Sequence, residues 1–83
     1  MSAIIVREWP RNVRETLRVS LDQFNGRDVV DVRVWYWDRS GELKPGRAGL
    51  MLSTRHLKQL AFALAEAAER AEGVGLIDER VER

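Results

Sequence analysis

Two runs of alternating polar and apolar residues, joined by the dipeptide Asn25-Gly26, constrain the fold more than any other feature of this chain. In the first run, 16–24, apolar side chains occupy every second position, as in a strand with one buried face. Asn-Gly is typical of a two-residue β-hairpin, because both residues tolerate a positive φ. The second run, 28–38, would span about 36 Å when extended, so a small sheet must twist or bend along it. One face of this run carries Val30, Val32, Val34 and Tyr36, and the other carries Asp31, Arg33, Trp35 and Trp37.

The residues after the hairpin predict two short strands and one helix. Residues 42–47 indicate a third strand, interrupted by Pro45-Gly46, and residues 50–52 indicate a fourth. Ser53 is a favourable N-cap, and helical periodicity runs from there to Gly73. The apolar stripe of this helix contains Leu57, Leu60, Ala61, Leu64, Ala68 and Ala71. The predicted fold is α+β, a curved four-stranded antiparallel sheet followed by one C-terminal helix (ββββα).

Length and composition limit this fold to one domain. Within the 83 residues we expect an N-terminal extension at 1–13, a binding domain at 14–73 and a C-terminal tail at 74–83. The chain has no cysteine, and we expect neither a metal nor a cofactor. The helix, with Phe62 outside its stripe, has more apolar surface than one small sheet can cover, which predicts a helix–helix contact in a homodimer. No apolar run approaches the ~20 residues of a membrane span, so we expect a cytoplasmic protein without a membrane partner.

The net charge of +1 conceals a division along the chain. Residues 7–58 carry eleven basic and seven acidic side chains, whereas residues 59–83 carry three basic and six acidic ones. Twelve of the fourteen basic residues are Arg, which binds phosphate bidentately and stacks on bases. The β-rich part therefore favours a polyanionic partner, although coding bias is an equally good explanation of the arginine content.

Residue types that carry catalysis are sparse, and we expect no enzymatic activity. His56 is the single histidine, and neither cysteine nor a carboxylate cluster lies near it in the sequence. Gly41, Gly46 and Gly49 lack the strand-to-helix context and the Gly-Lys-Ser/Thr ending of a phosphate loop.

Aromatic and basic residues interleave along residues 24–49, as in proteins that bind single-stranded nucleic acid. Trp35, Tyr36 and Trp37 place rings on both faces of their strand. The cations that a curved sheet could gather into a groove are Arg27, Arg33, Lys44 and Arg47. The pattern alone leaves open the alternative that these rings only pack within the sheet.

The same stretch contains a motif, Phe24-x-Gly26-Arg27, Asp31-Val32-Arg33, Trp35-Tyr36 and Asp38-x-x-Gly41-Glu42-Leu43-Lys44-Pro45-Gly46-Arg47-x-Gly49. This motif resembles the signature of the transcriptional coactivator family known as positive cofactor four, without gaps from about Leu17 to Leu52. The resemblance implies a curved four-stranded sheet with one helix, and a homodimer formed through helices and sheet edges. It also implies that single-stranded or locally melted DNA binds in grooves along the sheets.

The resemblance assigns roles to individual positions. Phe24 and Tyr36 match aromatic residues that stack on bases. The positions that match contacts to the nucleic-acid backbone are Arg27, Arg33, Lys44 and Arg47. The helix residues expected at the dimer interface are Leu57, Leu60, Ala61, Leu64 and Ala68.

The chain departs from the family pattern at several positions. Ala48 stands where the family often has Lys, and Glu15 and Asp22 replace basic residues of the first predicted strand. Each change removes positive charge, which predicts weaker or more salt-sensitive binding. The long Ser- and Lys-rich arm of eukaryotic members is absent, which favours a compact bacterial-type relative.

The alternation along the strand predicted at residues 28–38 conflicts with the roles that the resemblance assigns. Strict alternation separates Arg33 from Tyr36, yet the resemblance assigns both to the DNA. A bulge between them would bring them together. Without a bulge, Trp35 and Trp37 would join Arg33 on the binding face, and Tyr36 would belong to the core.

We therefore expect a dimeric, nucleoid-associated single-stranded DNA-binding protein, a transcription coactivator or regulator or a DNA-maintenance factor. The transcription machinery is a further expected partner. Two alternatives stay open: RNA binding through the same groove, and a dimeric protein-interaction module that keeps the fold but has lost nucleic-acid binding.

Overall fold

The computed structural model of the chain describes residues 3–76. Its strands are β1 (Ile4–Pro10), β2 (Glu15–Phe24), β3 (Arg27–Trp37) and β4 (Leu43–Ser53), followed by the short 3₁₀ turn η1 (Thr54–His56) and the helix α1 (Leu57–Gly73). The strands form one sheet in the order β1-β2-β3-β4, each antiparallel to its neighbour. This architecture confirms the predicted ββββα fold.

The central hairpin forms where the alternation predicted it. β2 and β3 pair without a register shift from Glu15↔Tyr36 to Phe24↔Arg27. The turn residues Asn25-Gly26 have φ values of 53° and 77°, the two positive angles that a type I′ turn requires.

Residues 4–10, by contrast, form a strand that the sequence pattern did not indicate. β1 pairs with β2, but its register shifts between Ile5 and Arg7, so the polar–apolar alternation is interrupted at Val6. Pro10 ends the strand, a position at which a missing backbone N–H is tolerated. The sequence of this segment does not read as a strand, because β1 is an exposed edge strand whose polar–apolar alternation is broken.

The two short strands expected at 42–47 and 50–52 are one continuous strand, β4, and this prediction is corrected. β4 lies at the other edge of the sheet, where proline is compatible with strand structure. Glycine is favoured at position 49 of β4 for a geometric reason: its φ of 144° is a backbone conformation that residues with a side chain rarely adopt.

An irregularity interrupts the pairing of β3 with β4. Pro45 pairs with Trp35 and Gly49 pairs with Arg33, so three residues of β4 stand opposite the single residue Val34. We call these residues, Gly46–Ala48, the β4 bulge. The bulge bends the edge of the sheet beside the centre of β3.

The single chain has a very small core. Its buried apolar residues are Val29, Val30 and Val34, and α1 contributes none. Leu64 and Phe62 of the helix are 59% and 76% exposed. Most of the apolar surface of α1 is therefore left uncovered by the sheet of its own chain.

The two ends of α1 are closed differently. Ser53 caps η1, not α1: its hydroxyl accepts a hydrogen bond from the backbone N–H of Arg55, whereas α1 begins only at Leu57 and His56 before it makes no side-chain cap bond. At the other end, Leu76 N–H donates to the Ala71 carbonyl at 2.7 Å, and Gly75 has a φ of 77°. The left-handed residue that closes the helix is thus Gly75. No helix within residues 3–76 is long and apolar enough to cross a membrane.

Candidate nucleic-acid interface

β3 divides the predicted site residues between two faces of the sheet. Its pairing with β2 is continuous through Arg33 and Tyr36, so β3 contains no bulge between them. The irregularity lies in β4 and adds two residues, which preserves the alternation on either side of it. The tryptophan face carries Phe24, Arg27, Arg33, Trp35 and Trp37. The valine face carries Val30, Val32, Val34, Tyr36 and Lys44.

The geometry therefore follows the second of the two arrangements considered for β3. Trp35 and Trp37 share a face with Arg33, and Tyr36 lies on the opposite face. Tyr36 is not a core residue of the single chain, however, because 40% of its surface is exposed. Its neighbours across the strands are Glu15 and Lys44.

The aromatic rings of the tryptophan face differ in how accessible they are. Phe24 and Trp37 are 55% and 54% exposed. Trp35 is half-buried, and the guanidinium carbon of Arg18 lies 4.1 Å from its ring centroid, in a cation–π contact. Arg18 is in turn held by Glu8 through an ion pair of 2.8 Å. Phe24 and Trp37 are therefore the rings on which a base could stack without displacing a protein group.

Arg33 is occupied by contacts within the sheet. Its Nε donates to the Asp31 carboxylate at 3.0 Å, and its Nη1 donates to the Gly46 carbonyl oxygen at 3.1 Å. The side chains of Arg33 and Asp31 are only 20% and 17% exposed. Charged hydrogen bonds of this kind are stronger than neutral ones. The Arg33 guanidinium thus ties β3 to the β4 bulge.

Lys44, the second residue of β4, is likewise engaged, by Asp38 in the loop between β3 and β4. Its Nζ lies 3.0 Å from the Asp38 carboxylate, and half of its side chain is exposed. Asp38 also accepts hydrogen bonds from the Ser40 hydroxyl at 2.6 Å and from the Glu42 N–H at 3.0 Å. These hydrogen bonds, from Ser40, Glu42 and Lys44 in decreasing order of effect, hold the pKa of Asp38 well below its usual range. The Asp38 carboxylate raises the pKa of Lys44 in return.

The remaining predicted cations are exposed. Arg27 opens β3 beside Phe24, and Arg47 lies in the β4 bulge next to Ala48. Neither arginine forms an ion pair with a carboxylate of the residues that the structure describes. Of the four predicted backbone contacts, Arg27 and Arg47 are the two whose charge is not already neutralised by a neighbour.

Two residues without a predicted role lie close to Arg27. Arg55 and His56 line a cavity of ≈ 490 Å³ together with Arg27, and their backbone belongs to η1. The strand register could have identified Arg55 and His56 as site residues. Ser53 pairs with Val29, and this pairing places η1 beside the beginning of β3. That register depends on the β4 bulge, which the sequence pattern did not reveal.

The predicted dimer residues form an open stripe on α1. Leu57 and Leu60 are half-buried, and the other three, Ala61, Leu64 and Ala68, are exposed. Within residues 3–76, no group of three or more His, Cys, Asp or Glu side chains is placed to hold a metal ion.

Comparisons with known proteins agree on the family of this fold. A family model described as Transcriptional Coactivator p15 (PC4) matches residues 11–62. An RNA polymerase II transcriptional coactivator of Drosophila melanogaster is 39% identical over 54 residues, which cover 65% of this chain and 47% of that protein. The chain thus spans about half the length of this relative.

Solved structures match over most of the chain. A PC4 homologue from Burkholderia pseudomallei has a TM-score of 0.71 and 28% identity, covering 81% of this chain and 90% of that one. A bacteriophage T5 homologue of the eukaryotic coactivator PC4, implicated in recombination-dependent DNA replication, has a TM-score of 0.67 and covers 95% of this chain and 89% of that one. At 22% identity, the phage protein shows the shared fold alone. Because the family model also covers more than half of the sequence, this chain belongs to the transcriptional coactivator p15 (PC4) family.

Proposed function

We propose that this protein binds single-stranded DNA along the tryptophan face and acts at the nucleoid as a transcription coactivator or regulator, or as a DNA-maintenance factor. The observation that carries the proposal is the joint exposure of Phe24, Arg27 and Trp37 on one face of the sheet. The names of the relatives, a transcriptional coactivator and a protein implicated in DNA replication, support both cellular roles.

Binding would combine stacking with backbone contacts. Bases would stack on Phe24 and Trp37, at about 1–3 kcal/mol per base. Arg27 and Arg47 would neutralise phosphates, which makes the affinity fall as salt concentration rises. Arg33 would contribute mainly by holding the β4 bulge, since its guanidinium is already bonded to Asp31 and Gly46.

A tryptophan fluorescence titration with oligo-dT tests this function. We expect salt-dependent quenching for the wild type and weaker binding for Phe24→Ala. Phe62→Ala is the matched control, because it removes an exposed phenyl ring from α1 and leaves the sheet unchanged. A Tyr36→Ala variant shows whether the valine face takes part. A wild-type protein with neither quenching nor salt-dependent affinity would refute the proposal.

The protein would act as a homodimer formed through the apolar stripe of α1. The support is that no residue of this helix is buried in the single chain, although its stripe is rich in Leu and Ala. Such a surface is stabilised when a second copy covers it. Leu64→Asp should therefore yield a monomer in sedimentation equilibrium. Phe62→Asp, on the opposite side of the helix, should remain a dimer, and equal behaviour of the two variants would contradict this interface.

A second candidate function is a dimeric protein-interaction module without nucleic-acid binding. The observation that favours it is the pairing of Arg33 and Lys44 with carboxylates, together with the neutral Ala48 in the bulge. Normal dimerisation without retention on single-stranded DNA would support this candidate over the first. Competition between matched DNA and RNA oligomers distinguishes a preference for RNA, because only RNA offers a 2′-hydroxyl.

A further inference from the structure

We infer that Arg55 and His56 join Arg27 to form a phosphate-binding pocket that holds an internal backbone phosphate of the strand stacked on Phe24. The inference deepens the proposed function, on which it rests. It adds two residues, both from η1, that lie outside the motif of residues 24–49.

The pocket is continuous with the predicted stacking site. One cavity, of ≈ 490 Å³, is lined by Arg27, Met51, Leu52, Ser53, Arg55 and His56. A neighbouring cavity, of ≈ 460 Å³, is lined by Phe24, Asn25, Arg27, Val29, Met51, Leu52 and Ser53. The two cavities share four lining residues, so the Phe24 ring and the basic side chains border one depression. A nucleotide whose base stacks on Phe24 would place its phosphate near these side chains.

The charge of this pocket is unbalanced. None of its lining residues is acidic. Arg27, Arg55 and His56 form no ion pair with a carboxylate of residues 3–76. The guanidinium groups of Arg27 and Arg55 repel each other when they share a depression, and an anion bound between them relieves that repulsion. The pocket therefore suits a phosphate, for which arginine is the preferred partner.

The position of Arg55 is set by the sheet rather than by a free loop. Ser53 pairs with Val29 as the last residue of β4, and its hydroxyl accepts a hydrogen bond from Arg55 N–H at 3.4 Å. η1 follows at once and packs against β3, which also carries Arg27. Because β3 and η1 fix the backbone of both arginines, only their side chains have to be ordered when a phosphate binds.

The salt dependence of oligo-dT binding, measured by fluorescence anisotropy, tests the pocket. For single strands the slope of log affinity against log salt changes by about 0.7 for each phosphate contact. We expect Arg55→Ala to have a slope shallower by about 0.7 and to bind several-fold more weakly. Arg55→Lys should restore the slope, because it keeps the positive charge. His56→Ala should weaken binding to a smaller extent. Arg70→Ala is the matched control, since it removes the same charge from an exposed ion pair with Glu66 on α1 and should leave affinity and slope unchanged.

Failure of the inference differs from failure of the proposed function. If the wild type binds and Arg55→Ala binds with the same affinity and slope, the pocket is refuted while the function stands. If the wild type does not bind oligo-dT, both are refuted. Oligomers with a 5′-hydroxyl and a 5′-phosphate separate internal from terminal phosphates. An Arg55 effect confined to the 5′-phosphorylated oligomer would overturn the assignment to an internal phosphate.

Discussion

Gly49→Ala is expected to be strongly destabilising, because β4 approaches β3 too closely at this position for a side chain. A Cβ atom there would lie 2.3 Å from the Val32 carbonyl oxygen and 2.7 Å from Arg33 Cα, and both of these are backbone atoms. The φ of 144° adds strain of roughly 1–3 kcal/mol for a residue other than glycine. Separating the strands would also break the Arg33–Gly46 hydrogen bond, at about 1.5–3 kcal/mol for a charged donor. We expect the free energy of unfolding to fall by roughly 3–5 kcal/mol.

Urea unfolding followed by circular dichroism measures this loss. The protein concentration must be constant, because the proposed dimer would couple stability to concentration. Gly26→Ala is the matched control: its φ is also positive, at 77°, but an added Cβ would meet no atom within 4 Å. Backbone strain alone should cost that variant about 1–2 kcal/mol. The reasoning is refuted if Gly49→Ala loses no more stability than Gly26→Ala.

Three further predictions concern the β3–β4 loop and the end of α1. In an NMR titration, Ser40→Ala should raise the depressed pKa of Asp38 more than Lys44→Ala does, because the Ser40 hydroxyl bond has the larger effect. The pKa of Asp38 in the folded state lies below its usual value of 3.8. The Asp38 carboxylate therefore stabilises the fold fully above pH 3.8, and this stabilisation is lost as the pH falls from there through the folded-state pKa. Asp38→Asn should flatten the acid-unfolding profile below pH 3.8. An unaltered profile would contradict this assignment. Gly73→Ala should raise the free energy of unfolding in urea by about 0.5–1 kcal/mol, because this last helical residue has open space around it, and a loss of stability would contradict that expectation.

The parts of the fold that depend on local signals were predictable from the sequence. The type I′ hairpin needs only Asn25-Gly26 between two alternating runs, and the cap of η1 needs only the Ser53 hydroxyl two residues before Arg55. β1 was missed because its alternation breaks at Val6. The continuity of β4 was missed because Pro45 reads as an interruption, although an edge strand accepts it.

The site was less predictable, because its electrostatics depend on pairings distant in sequence. The motif suggested that Arg33 and Lys44 contact phosphate, and their sequence positions do not reveal the partners that neutralise them. The bond from Arg33 to the Gly46 carbonyl exists only because the β4 bulge turns that oxygen toward β3. Arg55 and Arg27 likewise become neighbours through strand register. Alternation did predict the face shared by Arg33 and Trp35, since it depends on backbone geometry alone.

The irregularities of the two outer strands bear on solubility. An edge strand with a regular row of free N–H and C=O groups is a template for open-ended aggregation. In this sheet, the register of β1 shifts after Ile5, and β4 carries both Pro45 and the β4 bulge. Each outer edge is therefore a poor template for an added strand. Self-association of this chain should stop at a closed, finite assembly and should not extend into fibres.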